Sequence, residues 1–128
     1  ALKKNPDDPE FNAVMGEILC QKMEFPGAES YLKKALNTKP EFVPHVHALL
    51  GRVYAETNRT QQAIAEMTLA LSDDRDGRLH YQIARLYLKV GDRNSANKAL
   101  EASKRLESEG LTSAAVAIEK SASESEFQ

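Results

Sequence analysis

Residues 47–70 read HALLGRVYAETNRTQQAIAEMTLA, and the spacing of their apolar and small side chains decides what the chain builds. Leu50, Val53 and Tyr54 fall on one helical face, and Ile64, Met67 and Leu69 follow at helical spacing after a break. The break is Asn58-Arg59, and Thr60 stands where a helix N-cap is needed. No period-two alternation runs through the stretch, so a half-buried strand does not fit. Two helices joined by a short turn do.

The same texture extends both ways. Phe11, Val14, Met15, Ile18 and Leu19 form one stripe, and Leu79, Ile83, Leu86, Tyr87 and Val90 form another. Asp8-Pro9 and Val43-Pro44 place proline at the start of a helix, where its missing N–H costs nothing, and Gly91 suits a left-handed position after a helix end. These signals predict helices near 9–22, 26–38, 44–57, 60–72, 77–90, 93–107 and 111–121.

A longer period overlies the helical one. Gly51 has counterparts in Gly16 and Ala84, at spacings of 35 and 33 residues. Each is preceded by an apolar residue (Met15, Leu50, Ile83) and followed three places on by Leu19, Tyr54 or Tyr87. Twelve residues after each reference position stand Ala28, Ala63 and Ala96, followed by Leu32, Met67 and Leu100, then Ala35, Ala70 and Ser103. A two-helix unit repeating near every 34 residues is the signature of a solenoid. One such unit cannot bury its own apolar face, so neighbours must stack. Close crossings within a unit are expected where Gly16 meets Ala28 and Gly51 meets Ala63.

This register resembles the tetratricopeptide repeat, whose pattern runs Trp, Leu-Gly and Tyr on the first helix, then Ala, a large apolar residue, Ala and Pro. The Trp place holds Asn12, His47 and His80, and the closing Pro survives only as Pro40, with Arg75 and Ser108 in the later repeats. The resemblance implies an all-α, right-handed superhelical α-α solenoid of helix-turn-helix repeats in one domain. Residues 1–8 read as the end of a preceding repeat, 9–43, 44–76 and 77–110 as three repeats, and 111–128 as a capping helix and tail. The match of Ala1-Leu2 to Ala35-Leu36 suggests a segment cut from a longer array. Its exposed repeat ends are then expected to self-associate. The capping helix would use Leu111, Ala114, Ala115, Ile118 and Ala122 as its inner face, ahead of a frayed Ser/Glu-rich end.

Composition narrows the function. Seventeen basic and nineteen acidic side chains give a net charge of -2, which offers no basic stripe for nucleic acid. No apolar run approaches the roughly 18 residues of a membrane span, and the N-terminus has no signal-peptide core. The chain reads as soluble, with the cytoplasm favoured. Cys20 is the single cysteine and reads as an apolar filler. His45 and His47 point to nearly opposite helix faces, and no carboxylate stands at ligand spacing from His47 or His80, so no metal is expected and packing at the Trp place is preferred. There is no phosphate-cradling glycine loop, no nucleophile with a base and no paired carboxylates in an apolar setting. Asp73-Asp74-Arg75-Asp76 reads as a solvated turn with helix caps. No enzyme activity and no cofactor are expected.

What the resemblance adds is a groove lined by the first helix of each repeat. Carried over by position, its polar lining is Glu10, Glu17 and Gln21, then His45, Arg52 and Glu56, then Arg78, Tyr81, Arg85 and Lys89; Ala13, Cys20, Ala48, Ala55 and Leu88 fill the remaining places. The family's clamp for chaperone C-termini needs Lys and Asn where this chain has Ala13, Glu17, Leu49, Arg78 and Gln82, which disfavours that ligand. The implied function is a protein-interaction scaffold whose groove takes a peptide or a partner's helix. The alternative is an accessory or substrate-presenting segment of a larger enzyme such as a transferase. Residues 77–110 hold seven basic and four acidic side chains against three and five in 44–76, so an acidic ligand portion is expected near Arg78, Arg85 and Lys89.

Overall fold

Six α-helices account for almost all of the regular structure in the computed structural model, which describes residues 8–37 and 39–126. They are α1 (Pro9–Gln21), α2 (Phe25–Lys34), α3 (Val43–Glu56), α4 (Thr60–Leu69), α5 (Arg78–Lys89) and α6 (Arg93–Glu126), with single 3₁₀ turns at Ala35–Asn37, Pro40–Phe42 and Leu71–Asp73. No strand occurs among the described residues. Consecutive helices pack as pairs, α1 with α2, α3 with α4 and α5 with α6, and the pairs stack in chain order. Of the expected end of a preceding repeat, 1–8, all but Asp8 lies outside the described residues, as do the last two residues of the tail.

Each pair turns by the same device. Met23, Asn58 and Gly91 have φ of 62°, 61° and 83°. The next N–H in each case bonds back across the turn, Glu24 to the Leu19 carbonyl at 2.8 Å, Arg59 to Tyr54 at 2.8 Å and Asp92 to Tyr87 at 2.9 Å. This is the Schellman arrangement, which satisfies carbonyls left open at a helix end. Gly91 and Asn58 are residue types that suit such a position, whereas Met23 is an unusual occupant of the left-handed region.

The starts of α1 and α6 are secured by carboxylates. Asp8 accepts the Glu10 N–H at 3.1 Å and Asp92 accepts the Ser95 N–H at 3.1 Å. Thr60, expected as a cap, is instead the first residue of α4, and Arg59 before it makes no side-chain capping bond. Thr60 is displaced because the Schellman bond already commits Arg59 to the turn.

Small residues let the helices of a pair approach. Ala28, Ala35, Ala63, Ala70, Ala84 and Ala96 are fully buried. A Cβ on Gly16 would stand 2.5 Å from Leu32 Cδ2, and one on Gly51 would overlap Met67 Cγ. The expected partners of these glycines, Ala28 and Ala63, are thus one helical turn short of the tightest point. Leu32, Leu50, Val53 and Ile83 are large apolar side chains buried in the core.

The C-terminal end departs from expectation. The predicted break between helices at 93–107 and 111–121 is absent, and α6 runs unbroken for 34 residues through Gly110. A single internal glycine costs a helix only about 1 kcal/mol relative to alanine, and the surrounding Ala, Leu, Glu and Lys are good helix formers. Residues 107–122 are exposed, Leu111, Val116 and Ile118 to 67%, 58% and 69%, so this stretch does not fold back to cap the last pair.

Candidate functional site

A recess of about 670 Å³ opens between α3 and α5, with Met67 of α4 in its lining. Arg52, Ala55 and Glu56 line it from α3, and Arg85, Leu86, Leu88 and Lys89 from α5. Residues 52, 55 and 56 share one helical face, as do 85, 88 and 89, because three- and four-residue steps return to the same side. The floor is apolar and the rim is charged. Leu88 is half exposed, at 51%, beside the cations.

Three cations face one carboxylate here, Arg52, Arg85 and Lys89 against Glu56. None of the three forms an ion pair among the described residues. Lys89 Nζ donates to Asn58 Oδ1 at 3.3 Å, and the Arg52 guanidinium lies 5.9 Å from the Phe25 ring centroid. Both contacts hold the side chains in place without neutralising them.

A second recess, of about 550 Å³, adjoins the first through Arg85 and Gln82. It gathers Arg78, Tyr81 and Arg85 but adds Asp76 and, from α6, Glu107. Arg78 Nε is already paired with Asp76 at 3.1 Å. This recess is therefore close to charge balance. Tyr81 is 51% exposed in it.

The remaining expected groove residues lie elsewhere on the stack. Glu10 and Gln21 are exposed, with Glu10 3.6 Å from Lys39. Glu17 lies 3.6 Å from His45, linking α1 to α3. Cys20, carried over as lining, is fully buried in the core instead, and burial pushes its thiol pKa up. The structure thus brings Arg52, Glu56, Arg85 and Lys89 into one recess and Arg78 and Tyr81 into its neighbour; it does not join Glu10 or Gln21 to either.

The histidines differ from expectation in their partners. His47 Nδ1 lies 2.6 Å from Glu66 and His80 Nδ1 lies 2.7 Å from Asp74. Both carboxylates are distant in sequence or across a turn, which hid them from a search for ligand spacing. Asp74 is built into the frame: it accepts the Gly77 N–H at 3.1 Å and the His80 N–H at 2.9 Å, capping α5. Burial works against its charge, yet the bonds from His80 outweigh it and hold the Asp74 pKa below the usual value. No group of three or more His, Cys, Asp or Glu suited to a metal occurs among the described residues. No helix among them is long and apolar enough to cross a membrane.

Two further groups tie the stack together. Arg59 donates to both carboxylate oxygens of Glu29, at 2.6 and 3.2 Å, and its guanidinium covers the Tyr54 ring at 4.5 Å. Lys33 adds a contact to Glu29 at 2.9 Å. Arg59 first, then Lys33, lower the Glu29 pKa to about 2. At the other end, Ser103 Oγ donates to the Gly77 carbonyl at 2.7 Å. That bond explains a serine where the earlier repeats have alanine.

Comparison with known proteins places this geometry. A family model described as Tetratricopeptide repeat matches residues 24–82, and a second with the same description matches 77–109. Anaphase-promoting complex subunit CDC16 of Saccharomyces cerevisiae is 32% identical over 92 residues, covering 66% of this chain but 11% of its own length. The solved structure of MamA MSR-1 superposes with a TM-score of 0.74 at 24% identity, over 82% of this chain and 60% of its own. MamA AMB-1 gives 0.72 at 24%, over 80% and 61%. The chain thus spans less than two thirds of each of these proteins, and the MamA likeness concerns the fold.

Proposed function

The chain belongs to the tetratricopeptide repeat family, and from that premise we propose that it is a protein-interaction scaffold whose recess between α3 and α5 takes an acidic segment of a partner. One observation carries the choice of ligand: Arg52, Arg85 and Lys89 are held around an apolar floor with Glu56 as the single opposing charge. Lys33 of α2 is by contrast paired along its helix with Glu29. Unpaired cations beside an exposed Leu88 favour a ligand that offers carboxylates and one large apolar side chain together. Tyr81, in the adjoining recess, offers that ligand an aromatic face to continue along. CDC16 is by its name a subunit of a larger complex, which agrees with a partner that is itself a protein.

Charge complementarity sets direction and encounter rate more than affinity. The acidic portion of the ligand should therefore lie at Arg85 and Lys89, with Arg78 contributing less because Asp76 holds it. Exposed charges are screened over roughly 8–10 Å at ordinary salt, so binding should weaken as salt rises. The test is fluorescence anisotropy with labelled acidic-aromatic peptides and their lysine-substituted counterparts, on the parent and on Arg85→Glu/Lys89→Glu. A parent preference for the acidic peptides, lost or inverted in the double variant, is the expected result. No preference in the parent, or an unchanged preference in the variant, overturns the proposal.

A further inference from the structure

Beyond the last contact with the stack, α6 carries a segment whose chemistry matches the recess. Residues 123–128 are Ser-Glu-Ser-Glu-Phe-Gln, two carboxylic acids and an aromatic side chain with no base among them. The three other Glu-Phe steps, at 10–11, 24–25 and 41–42, are built into helical turns of the stack. The recess has the opposite character: three cations, one acid and an exposed leucine.

We propose that the recess between α3 and α5 of one copy receives the acidic-aromatic segment 123–128 of a second copy. The inference rests on the function proposed above and names this chain itself as one source of the acidic ligand. Geometry requires the second copy. α5 and α6 run antiparallel, because Ser103 packs on Gly77 at the start of α5. α6 then continues 23 residues from Ser103 to Glu126, about 35 Å at 1.5 Å per residue. Arg85 and Lys89 lie back toward the far end of α5, so α6 leads its own terminus away from its own recess. A contact of this kind joins unlike surfaces and propagates head to tail unless the copies close a ring.

Sedimentation velocity of the full 128-residue chain, over a concentration series at low and moderate salt, tests the proposal through a charge swap. Arg85→Glu/Lys89→Glu reverses the recess, and Glu124→Lys/Glu126→Lys reverses the segment; helical circular dichroism checks that each variant is folded. The parent should associate increasingly with concentration and less with salt, and each variant alone should sediment as a monomer. An equimolar mixture of the two variants should associate again, since each then meets a complementary surface on the other. A parent that stays monomeric, a variant that associates as the parent does, or a mixture that fails to associate overturns the inference. Acidic peptides that bind a monomeric parent would sink this inference alone, whereas a parent that binds no acidic peptide would sink the function proposed above.

Discussion

Replacing Gly77 by alanine should destabilise the chain far more than the same change at Gly91, although both glycines have nearly the same backbone conformation. Their φ values are 87° and 83°, so each variant incurs the cost of a left-handed alanine, about 1 kcal/mol. Their surroundings differ. A Cβ at Gly91 meets nothing within 4 Å, whereas one at Gly77 would overlap the Ser103 carbonyl oxygen and stand 2.9 Å from Ser103 C and Cα. Those are backbone atoms and cannot rotate aside. α6 must move away from the start of α5, which strains the Ser103 Oγ bond to the Gly77 carbonyl. Overpacking of this kind adds about 1–3 kcal/mol. The expected totals are about 1 kcal/mol for Gly91→Ala and about 3 kcal/mol for Gly77→Ala. Urea unfolding followed by circular dichroism at the helical minimum measures both, and thermal unfolding should show the difference as a shift of about 4 °C in melting temperature per kcal/mol. Equal effects for the two variants would refute the claim that α5 and α6 touch backbone to backbone at Gly77.

Two other outcomes follow from the packing and the ion pairs. Ala63→Leu inserts a branched side chain where Ala63 is fully buried beside Gly51, and it should cost about 1–3 kcal/mol in the same unfolding assay; an unchanged midpoint would mean that the crossing lies elsewhere. Glu29→Gln should cost about 1–2 kcal/mol near neutral pH. The Glu29 carboxyl is held at about 2 by Arg59 and Lys33, below its ordinary value, so its stabilisation is complete above roughly pH 4.5 and disappears as pH falls toward 2. Parent and variant should therefore converge in acid, and a gap that persists at pH 2 would assign the effect to something other than the charge.

The repeat was legible because close packing demands particular residue sizes at particular places. Gly16, Gly51, Ala63 and Ala96 are where they are for want of space, and that constraint repeats with the fold. The Schellman turns were half legible: Gly91 announces a left-handed residue, but Met23 does so only through the bonds around it. Side-chain partners separated in sequence were not legible at all. Glu66 reaches His47 from another helix, and Glu107 enters the recess of Arg78 and Tyr81 from α6. The continuity of α6 was misjudged for a different reason. A glycine in a polar stretch signals a helix end only when tertiary contacts supply something for the chain to turn toward, and residues 108–122 are all exposed.

The claim that the recess between α3 and α5 is the binding surface meets its most direct test in a nuclear magnetic resonance titration. A labelled chain is titrated with an acidic-aromatic peptide at low salt, and amide shifts are mapped residue by residue. Binding in the recess should move Arg52, Ala55, Glu56, Arg85, Leu88 and Lys89, and leave the exposed residues Gln61, Gln62 and Ala65 of α4 still. Shifts confined to α4, or spread evenly over every exposed lysine and arginine, would contradict it.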